Sequence, residues 1–170
     1  GGTNTGSWDN FVTVGAQSGA FSSELINLTS NTTYFFRARA QNSGGTSWAP
    51  STENLTTLAY SLATITNTAA TNVTGTAAQV SGDVTSTGGD IPTITIYYGD
   101  NDGGTTPGNW DDSISLGLQG ADFSTALSGL SQLTTYFYRA SAQNAAGISW
   151  AGSSLSFTTL EVSELVINEF

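Results

Sequence analysis

Apolar and polar side chains alternate along short stretches of the chain, as they do in β-strands that bury one face. The alternation is clearest at residues 93–98, where Ile94, Ile96 and Tyr98 would share one face. Turns rich in Gly, Asp and Asn separate these stretches, and no segment shows a helical period. The pattern predicts seven strands and therefore a two-sheet antiparallel β-sandwich. The predicted strands are residues 62–65 with 71–74 as a first, broken strand, then 78–84, 93–98, 114–116, 123–130, 136–142 and 155–157.

An internal repeat organises the chain. Residues 1–58 align without gaps with residues 103–160 at a constant offset of 102, and 29 of the 58 aligned positions are identical. Trp8, for example, aligns with Trp110. A period near 100 residues is the length of one β-sandwich domain, so the alignment predicts two copies of the same domain.

The repeat also predicts the domain boundaries. Residues 1–58 would be the C-terminal part of a first repeat, because no counterpart of residues 59–102 stands before Gly1. Residues 59–160 would be a complete repeat, and residues 161–170 a linker or the first strand of a following β-domain. Because the first residue is Gly rather than Met, we expect the chain to be part of a longer precursor.

Composition excludes several classes of function. The chain has 13 acidic residues and three arginines, a formal net charge of −10, and no lysine, histidine, cysteine or methionine. A Cys/His zinc site, a Ser-His-Asp triad and a Schiff-base lysine are therefore impossible, and we predict that the chain is not an enzyme. Its negative charge would repel nucleic acid and anionic lipid, and no apolar run is long enough to span a membrane. We expect neither nucleic-acid binding nor membrane insertion.

A motif in the predicted sixth strand carries a family resemblance. Leu130, Thr134 and Tyr136 lead into an alternating stretch that ends Ala-Gln-Asn, and residues 28–42 repeat the arrangement. This pattern resembles the sixth-strand signature of fibronectin type III domains. The usual Pro of the preceding turn is replaced by Gln132 here, and the usual Trp of the second strand is absent. The chain is therefore similar to a divergent, bacterial-type member of that family.

The resemblance implies an all-β, tandem antiparallel β-sandwich of the fibronectin type III or Ig-like kind, with an incomplete first copy. It also implies that Tyr136 forms a tyrosine corner, in which the ring packs in the core and the hydroxyl bonds the backbone just upstream. The inward face of the sixth strand would then be Tyr136, Tyr138, Ala140 and Ala142.

The end of the chain carries a second, shorter resemblance. Residues 165–170 look like the opening strand of a bacterial lamin-tail-like domain. Together the resemblances imply a large protein of several β-domains that is secreted or exposed on the cell surface.

Two functions fit these observations. The first is a structural module of an extracellular tandem-repeat protein, such as a stalk, a spacer or a filament subunit. Its partners would be neighbouring repeats or identical subunits arranged head to tail, and the missing strands of residues 1–58 would come from the upstream chain or from a neighbouring chain. The alternative is an adhesin or a carbohydrate-binding accessory module of a secreted enzyme, with glycans as partners.

The candidate metal site lies in the loop after the third predicted strand. Asp100, Asn101 and Asp102 place hard oxygen ligands close together. Further acidic side chains could converge on the same ion from neighbouring loops, namely Asp83, Asp90, Asp111 and Asp112. Calcium prefers such ligands, so Ca²⁺ is the candidate cofactor. The alternative is a solvated turn, since Asp, Asn and Gly favour turns in any case. Adjacent carboxylates at Asp111 and Asp112 would point to opposite sides of a strand, which disfavours acid–base catalysis by that pair.

Aromatic and basic side chains offer the remaining candidates. Arg37, Arg39 and Arg139 should be exposed and pair across strands with Thr, Asp or Glu. Aromatic side chains that could stack on sugars are Trp8, Trp48, Trp110, Trp150, Phe35 and Phe137. The alternative for each of them is structural, as a lid on the core or a contact between domains. Trp150 would cover one end of the core and Trp110 the opposite end.

Overall fold

The computed structural model describes residues 2–162. The chain divides into two compact units, Gly1–Ala59 and Tyr60–Phe170. The resemblance to a lamin-tail strand concerns residues 165–170, which lie outside the described residues. Between residues 2 and 162, no helix is both long enough and apolar enough to cross a membrane.

The first unit holds two small antiparallel sheets. Strand β1 pairs with β4, and β2 pairs with β3 in a hairpin. Residues 8–32 contribute no strand. The strands of this unit are β1 (Thr33–Phe36), β2 (Arg39–Asn42), β3 (Gly45–Trp48) and β4 (Glu53–Thr56).

The second unit is the predicted antiparallel β-sandwich. One sheet has the strand order β5-β6-β9, and the other has the order β11-β10-β7-β8, with β12 also on β10. All strand pairs are antiparallel. The strands are β5 (Thr64–Thr71), β6 (Ala77–Ser86), β7 (Thr93–Gly99), β8 (Asp112–Leu118), β9 (Phe123–Ser128), β10 (Thr135–Asn144), β11 (Gly147–Trp150) and β12 (Leu155–Thr158).

Two strands differ from the sequence prediction. The first strand, predicted as broken, is the continuous β5, in which register shifts at Thr64/Ile65 and Thr68/Thr71 absorb the irregularity. The last strand is the interrupted one, because β11 and β12 lie on the same edge of β10 with residues 151–154 between them.

The core lies between the two sheets and follows the predicted alternation. On β10 the inward side chains Tyr138, Ala140 and Ala142 are buried, and Tyr136 packs against them. The hydroxyl of Tyr138 crosses the core and donates to the carbonyl oxygen of Thr68 on β5. The remaining members of the buried cluster are Ala63, Ile65, Val80, Val84, Ile94, Ile96, Phe123, Leu127, Leu130 and Ala151.

Gly82 on β6 allows the two strands beside it to approach closely. A Cβ atom at this position would lie 2.2 Å from the carbonyl oxygen of Thr66 and 2.5 Å from the ring of Phe123. The missing side chain therefore provides the space that the Phe123 ring occupies.

Candidate functional site

The predicted metal-binding residues lie in the loop between β7 and β8, where Asp102 is held by hydrogen bonds. Its Oδ1 atom accepts from the Gly104 amide at 2.9 Å and from the Ser154 hydroxyl at 2.6 Å. These two donors, with a smaller contribution from the Arg139 guanidinium, lower the pKa of the Asp102 carboxyl. Asp102 therefore ties the loop to the segment between β11 and β12.

The other carboxylates of the loop bond their immediate surroundings. Asp111 Oδ2 accepts from the Asp100 amide at 2.9 Å, and Asn101 Nδ2 donates to Asp100 Oδ1 at 2.5 Å. Asp112 accepts from the Tyr98 hydroxyl at 3.0 Å. These hydrogen bonds hold Asp100, Asp111 and Asp112 within the loop and at the start of β8.

The structure does not bring a larger set of acidic groups together. Within residues 2–162 no three acidic side chains converge on a position that could hold a metal ion. Asp90 accepts from the Ala145 amide at 2.8 Å, and Asp83 lies instead beside Asp122 on the other sheet. Calcium binding at Asp100, Asn101 and Asp102 stays a prediction.

Trp110 is buried against the same loop. Its ring packs on Gly103, where a Cβ atom would lie 2.6 Å from the indole nitrogen. The indole N–H has no hydrogen-bond partner among the described residues. At the aligned position of the first unit, Trp8 donates to the Gly2 carbonyl at 3.3 Å.

The expectation that Trp150 covers an end of the core is wrong. Residues 147–150 form strand β11, which pairs with β10. In this pairing Trp150 stands opposite Ser141. This register places its side chain on the outward face of the sheet. There its ring lies 5.0 Å from that of Tyr97, with an interplanar angle of 39°.

A small residue, Ser141, stands opposite Trp150 on the same face. Ser141 also stands opposite Thr95 on β7, so Thr95, Ser141 and Trp150 form one row across three strands. Although Ser141 points outward, its exposed fraction is only 7%. Its neighbours across the strands, Thr95 and Trp150, therefore flank a small and nearly buried residue.

An open groove of about 260 Å³ runs along this face. The β7–β8 loop supplies one side of the groove through Thr105 and Pro107. The sheet supplies the rest, namely Thr95, Tyr97, Ser141, Gln143, Ile148 and Trp150. Tyr97 was absent from the sequence-based candidates, although its place among the outward residues of β7 was readable from the alternation. Aromatic rings and neutral hydrogen-bonding groups therefore meet in one concave surface.

The first unit arranges the same Trp position differently. Trp48 aligns with Trp150, and Arg39 aligns with Ser141. The Arg39 guanidinium lies 5.9 Å from the centre of the Trp48 ring, a cation–π contact. The first unit thus has a long basic side chain beside Trp48 at the position where the second unit has the small Ser141.

The other two arginines have a partner that sequence reasoning missed. Arg139 donates through Nε to the Ala151 carbonyl at 2.8 Å and through a terminal nitrogen to the Gly152 carbonyl at 3.0 Å. Arg37 makes the equivalent pair of bonds to the carbonyls of residues 49 and 50 at 2.7 and 3.1 Å. The predicted pairing with Thr, Asp or Glu is therefore wrong for both. Each guanidinium instead bonds the backbone where the last strand is interrupted.

Comparisons with known proteins find similar folds among solved structures. No protein-family model matches the chain, and no curated protein matches it. The sensor domain of the anti-sigma factor RsgI4 from Pseudobacteroides cellulosolvens is 28% identical with a TM-score of 0.42, and the match covers 60% of this chain and 98% of that one. The FN1–FN3 segment of chicken CNTN1 is 19% identical with a TM-score of 0.46, covering 82% of this chain and 46% of that one. A fibronectin type III domain from the human KIAA0970 protein is 14% identical with a TM-score of 0.42. That match covers 61% of this chain and 78% of that one.

Proposed function

We propose that this chain is a structural module of an extracellular protein built from tandem fibronectin type III-like repeats, and that three further strands complete residues 1–58. The observation that carries the proposal is a difference in burial between aligned positions of the two units. The added strands would be equivalents of β5, β6 and β7. In the second unit, β5 and β6 form one sheet with β9, and β7 lies between β8 and β10 in the other sheet.

Large apolar side chains that are buried in the second unit are exposed at the aligned positions of the first. Phe123 is 4% exposed and Phe21 is 55% exposed. Leu127 is 0% exposed and Leu25 is 41% exposed. The same contrast holds for the inward aromatic of the sixth strand, which is 1% exposed at Tyr138 and 42% exposed as Phe36.

Exposure of this kind favours a partner that covers the face. Complete burial of a Phe or Leu side chain stabilises a fold by about 1.5–3 kcal/mol. Strands that cover Phe21, Leu25 and Phe36 together would therefore provide a large part of the stability of a small domain. Such strands can come from preceding sequence or from a neighbouring molecule, which would donate them by β-augmentation.

The two sources lead to different assemblies. Strands from preceding sequence make the chain part of a stalk or spacer of consecutive domains. Strands donated by an identical neighbour make a head-to-tail, heterologous contact, which builds a filament. The lack of a nucleophile–base pair and of a zinc-ligand set in the sequence supports a structural rather than a catalytic role.

The test is to supply the missing strands. A second copy of residues 59–102 is fused directly before Gly1, which restores the order found in the second unit. We expect the first unit of the extended protein to unfold cooperatively, with Trp8 and Trp48 reporting the transition by fluorescence. The 170-residue chain itself should lack that transition, or should associate in light scattering.

One result would contradict the proposal, and one control accompanies the test. A 170-residue chain that is monomeric, and whose first unit unfolds cooperatively without added strands, would show that residues 1–58 need no partner. A fused copy in which residues 59–102 are scrambled serves as the control, because it adds the same length and composition without the strand pattern.

A further inference from the structure

We infer that the groove between Tyr97, Trp150 and the β7–β8 loop binds a short segment of a neutral polysaccharide. This inference goes beyond the structural role proposed above and does not depend on it, because it concerns only the complete second unit.

The first argument is the chemical character of the groove. Two aromatic rings offer apolar surface to the C–H faces of a pyranose ring, and both belong to residue types that combine an apolar body with a polar tip. Hydroxyl groups of Thr95, Thr105 and Ser141 and the amide of Gln143 line the same surface. Concave sites with apolar walls and a few hydrogen-bonding groups are the usual form of small-ligand sites.

The second argument is charge. None of the described residues that line the groove is charged. Arg139 is the cross-strand neighbour of Tyr97, but its guanidinium bonds the carbonyls of Ala151 and Gly152. An anionic ligand would find no free cation here and would meet a chain of net charge −10. A cationic ligand would find no carboxylate on the lining. A neutral polyhydroxylated ligand meets neither obstacle.

The third argument is the comparison of the two units. Ser141 is the small residue that lines the groove opposite Trp150. In the first unit the aligned residue is Arg39, whose guanidinium lies over Trp48. The aligned Trp therefore has an aromatic neighbour, Tyr97, in the second unit and a basic neighbour, Arg39, in the first. This difference suggests a substitution, Ser141→Arg, that would place a long basic side chain opposite Trp150, as Arg39 stands opposite Trp48.

The experiment is affinity electrophoresis of the full chain in native gels that contain a polysaccharide. The probes are hydroxyethyl cellulose, xyloglucan, galactomannan and soluble starch, with polygalacturonate as an anionic control. We expect at least one neutral polymer to retard the protein and polygalacturonate not to retard it. Titration of the retarding polymer, followed by tryptophan fluorescence, gives the Kd.

Three variants locate the binding. Tyr97→Ala removes one ring, and Ser141→Arg fills the groove while both rings remain. Each should weaken binding by about tenfold or more. Trp48→Ala removes the aligned ring of the first unit and should leave the Kd unchanged. Circular dichroism and thermal unfolding show whether the second unit of each variant remains folded, and the exposed Thr105→Ala change provides a further groove variant with little risk to the fold.

Several results would overturn the inference. One is the absence of retardation by all four neutral polymers. Another is binding that survives both Tyr97→Ala and Ser141→Arg, since the polymer would then lie elsewhere. A third is a monomer–dimer equilibrium that Ser141→Arg abolishes without retardation in any gel, which would assign the groove to a contact between protein chains.

Discussion

The backbone amide of Ser131 donates a hydrogen bond to the hydroxyl oxygen of Tyr136 at 3.0 Å. The aligned pair in the first unit, Thr29 and Tyr34, makes the same bond at 2.8 Å. Because the donor is a backbone group, the bond is kept although Ser and Thr differ at the two positions. This is the tyrosine corner that the fibronectin type III resemblance implied for Tyr136. The same bond anchors the turn before the corresponding strand in both units.

Removal of the Tyr136 hydroxyl should destabilise the second unit. We expect Tyr136→Phe to lower its free energy of unfolding by about 1 kcal/mol, the usual net contribution of one hydrogen bond. Urea denaturation followed by Trp110 and Trp150 fluorescence measures the change. Tyr34→Phe is the matched control and should leave this transition in place. An unchanged urea midpoint for Tyr136→Phe would mean that the bond contributes nothing to stability.

Truncation of aligned leucines should have unequal effects. Leu127 is fully buried, so Leu127→Ala should cost about 2–5 kcal/mol. Leu25→Ala should cost under about 1 kcal/mol, because much of that side chain is already exposed. In the protein extended by a second copy of residues 59–102, the cost of Leu25→Ala should rise toward that of Leu127→Ala. Equal costs in the 170-residue chain would contradict an open first unit.

The bonds from Arg139 to the interrupted last strand should depend on the guanidinium fork. Arg139→Lys keeps the charge but cannot donate to the Ala151 and Gly152 carbonyls in the same geometry. We expect a loss of about 1.5 kcal/mol in the second unit and faster amide hydrogen exchange in residues 151–154. Arg39→Lys, a change in the other unit, is the control. Unchanged exchange rates in residues 151–154 would show that the segment is held by other contacts.

The pair formed by Asp83 and Asp122 should make stability depend on pH. Partial burial first, and the neighbouring Asp122 second, raise the pKa of Asp83 in the folded protein. A carboxyl group with a raised pKa stabilises the fold below its unfolded pKa, and this contribution is lost as the pH rises through the folded value. At neutral pH the two charges therefore oppose folding.

Asp122→Asn should relieve this repulsion. We expect a higher Tm at neutral pH, a smaller gain in acid, and a lower Asp83 pKa in an NMR titration of the carboxyl carbon. Asp9→Asn, in the other unit, controls for the change in net charge. A gain in Tm that is the same at all pH values would rule out the charge pair as its cause.

The calcium hypothesis makes a thermal prediction. Calcium held by Asp100, Asn101 and Asp102 should raise the Tm of the second unit, and a hundredfold excess over Kd corresponds to about 2.7 kcal/mol. Asp102→Asn should abolish the rise, whereas Asp9→Asn should not. An unchanged Tm at millimolar calcium, with no binding heat in calorimetry, would leave the loop as a turn closed by Ser154 and Gly104.

The sequence by itself determined the sandwich and its core. Period-2 alternation at Ile94, Ile96 and Tyr98 specifies which face of a strand is buried, because successive side chains in a strand point to opposite sides. The same rule predicted the inward face of the sixth strand. The buried face of a strand depends only on neighbouring residues, so the pattern of apolar and polar residues is enough to predict it.

Tertiary structure alone decided which groups meet. A two-residue turn between β10 and β11 places Trp150 opposite Ser141 on the outward face. The ring that Trp150 meets there, Tyr97, is brought beside it by the pairing of β10 with β7, which are distant in the chain. The same holds for Asp102, whose partner Ser154 lies 52 residues away, and for Arg139, which bonds backbone carbonyls. Every residue carries a backbone carbonyl, so the sequence could not show which carbonyls Arg139 would bond. The alternation identified the faces of the strands, and strand pairing then determined what lies on them.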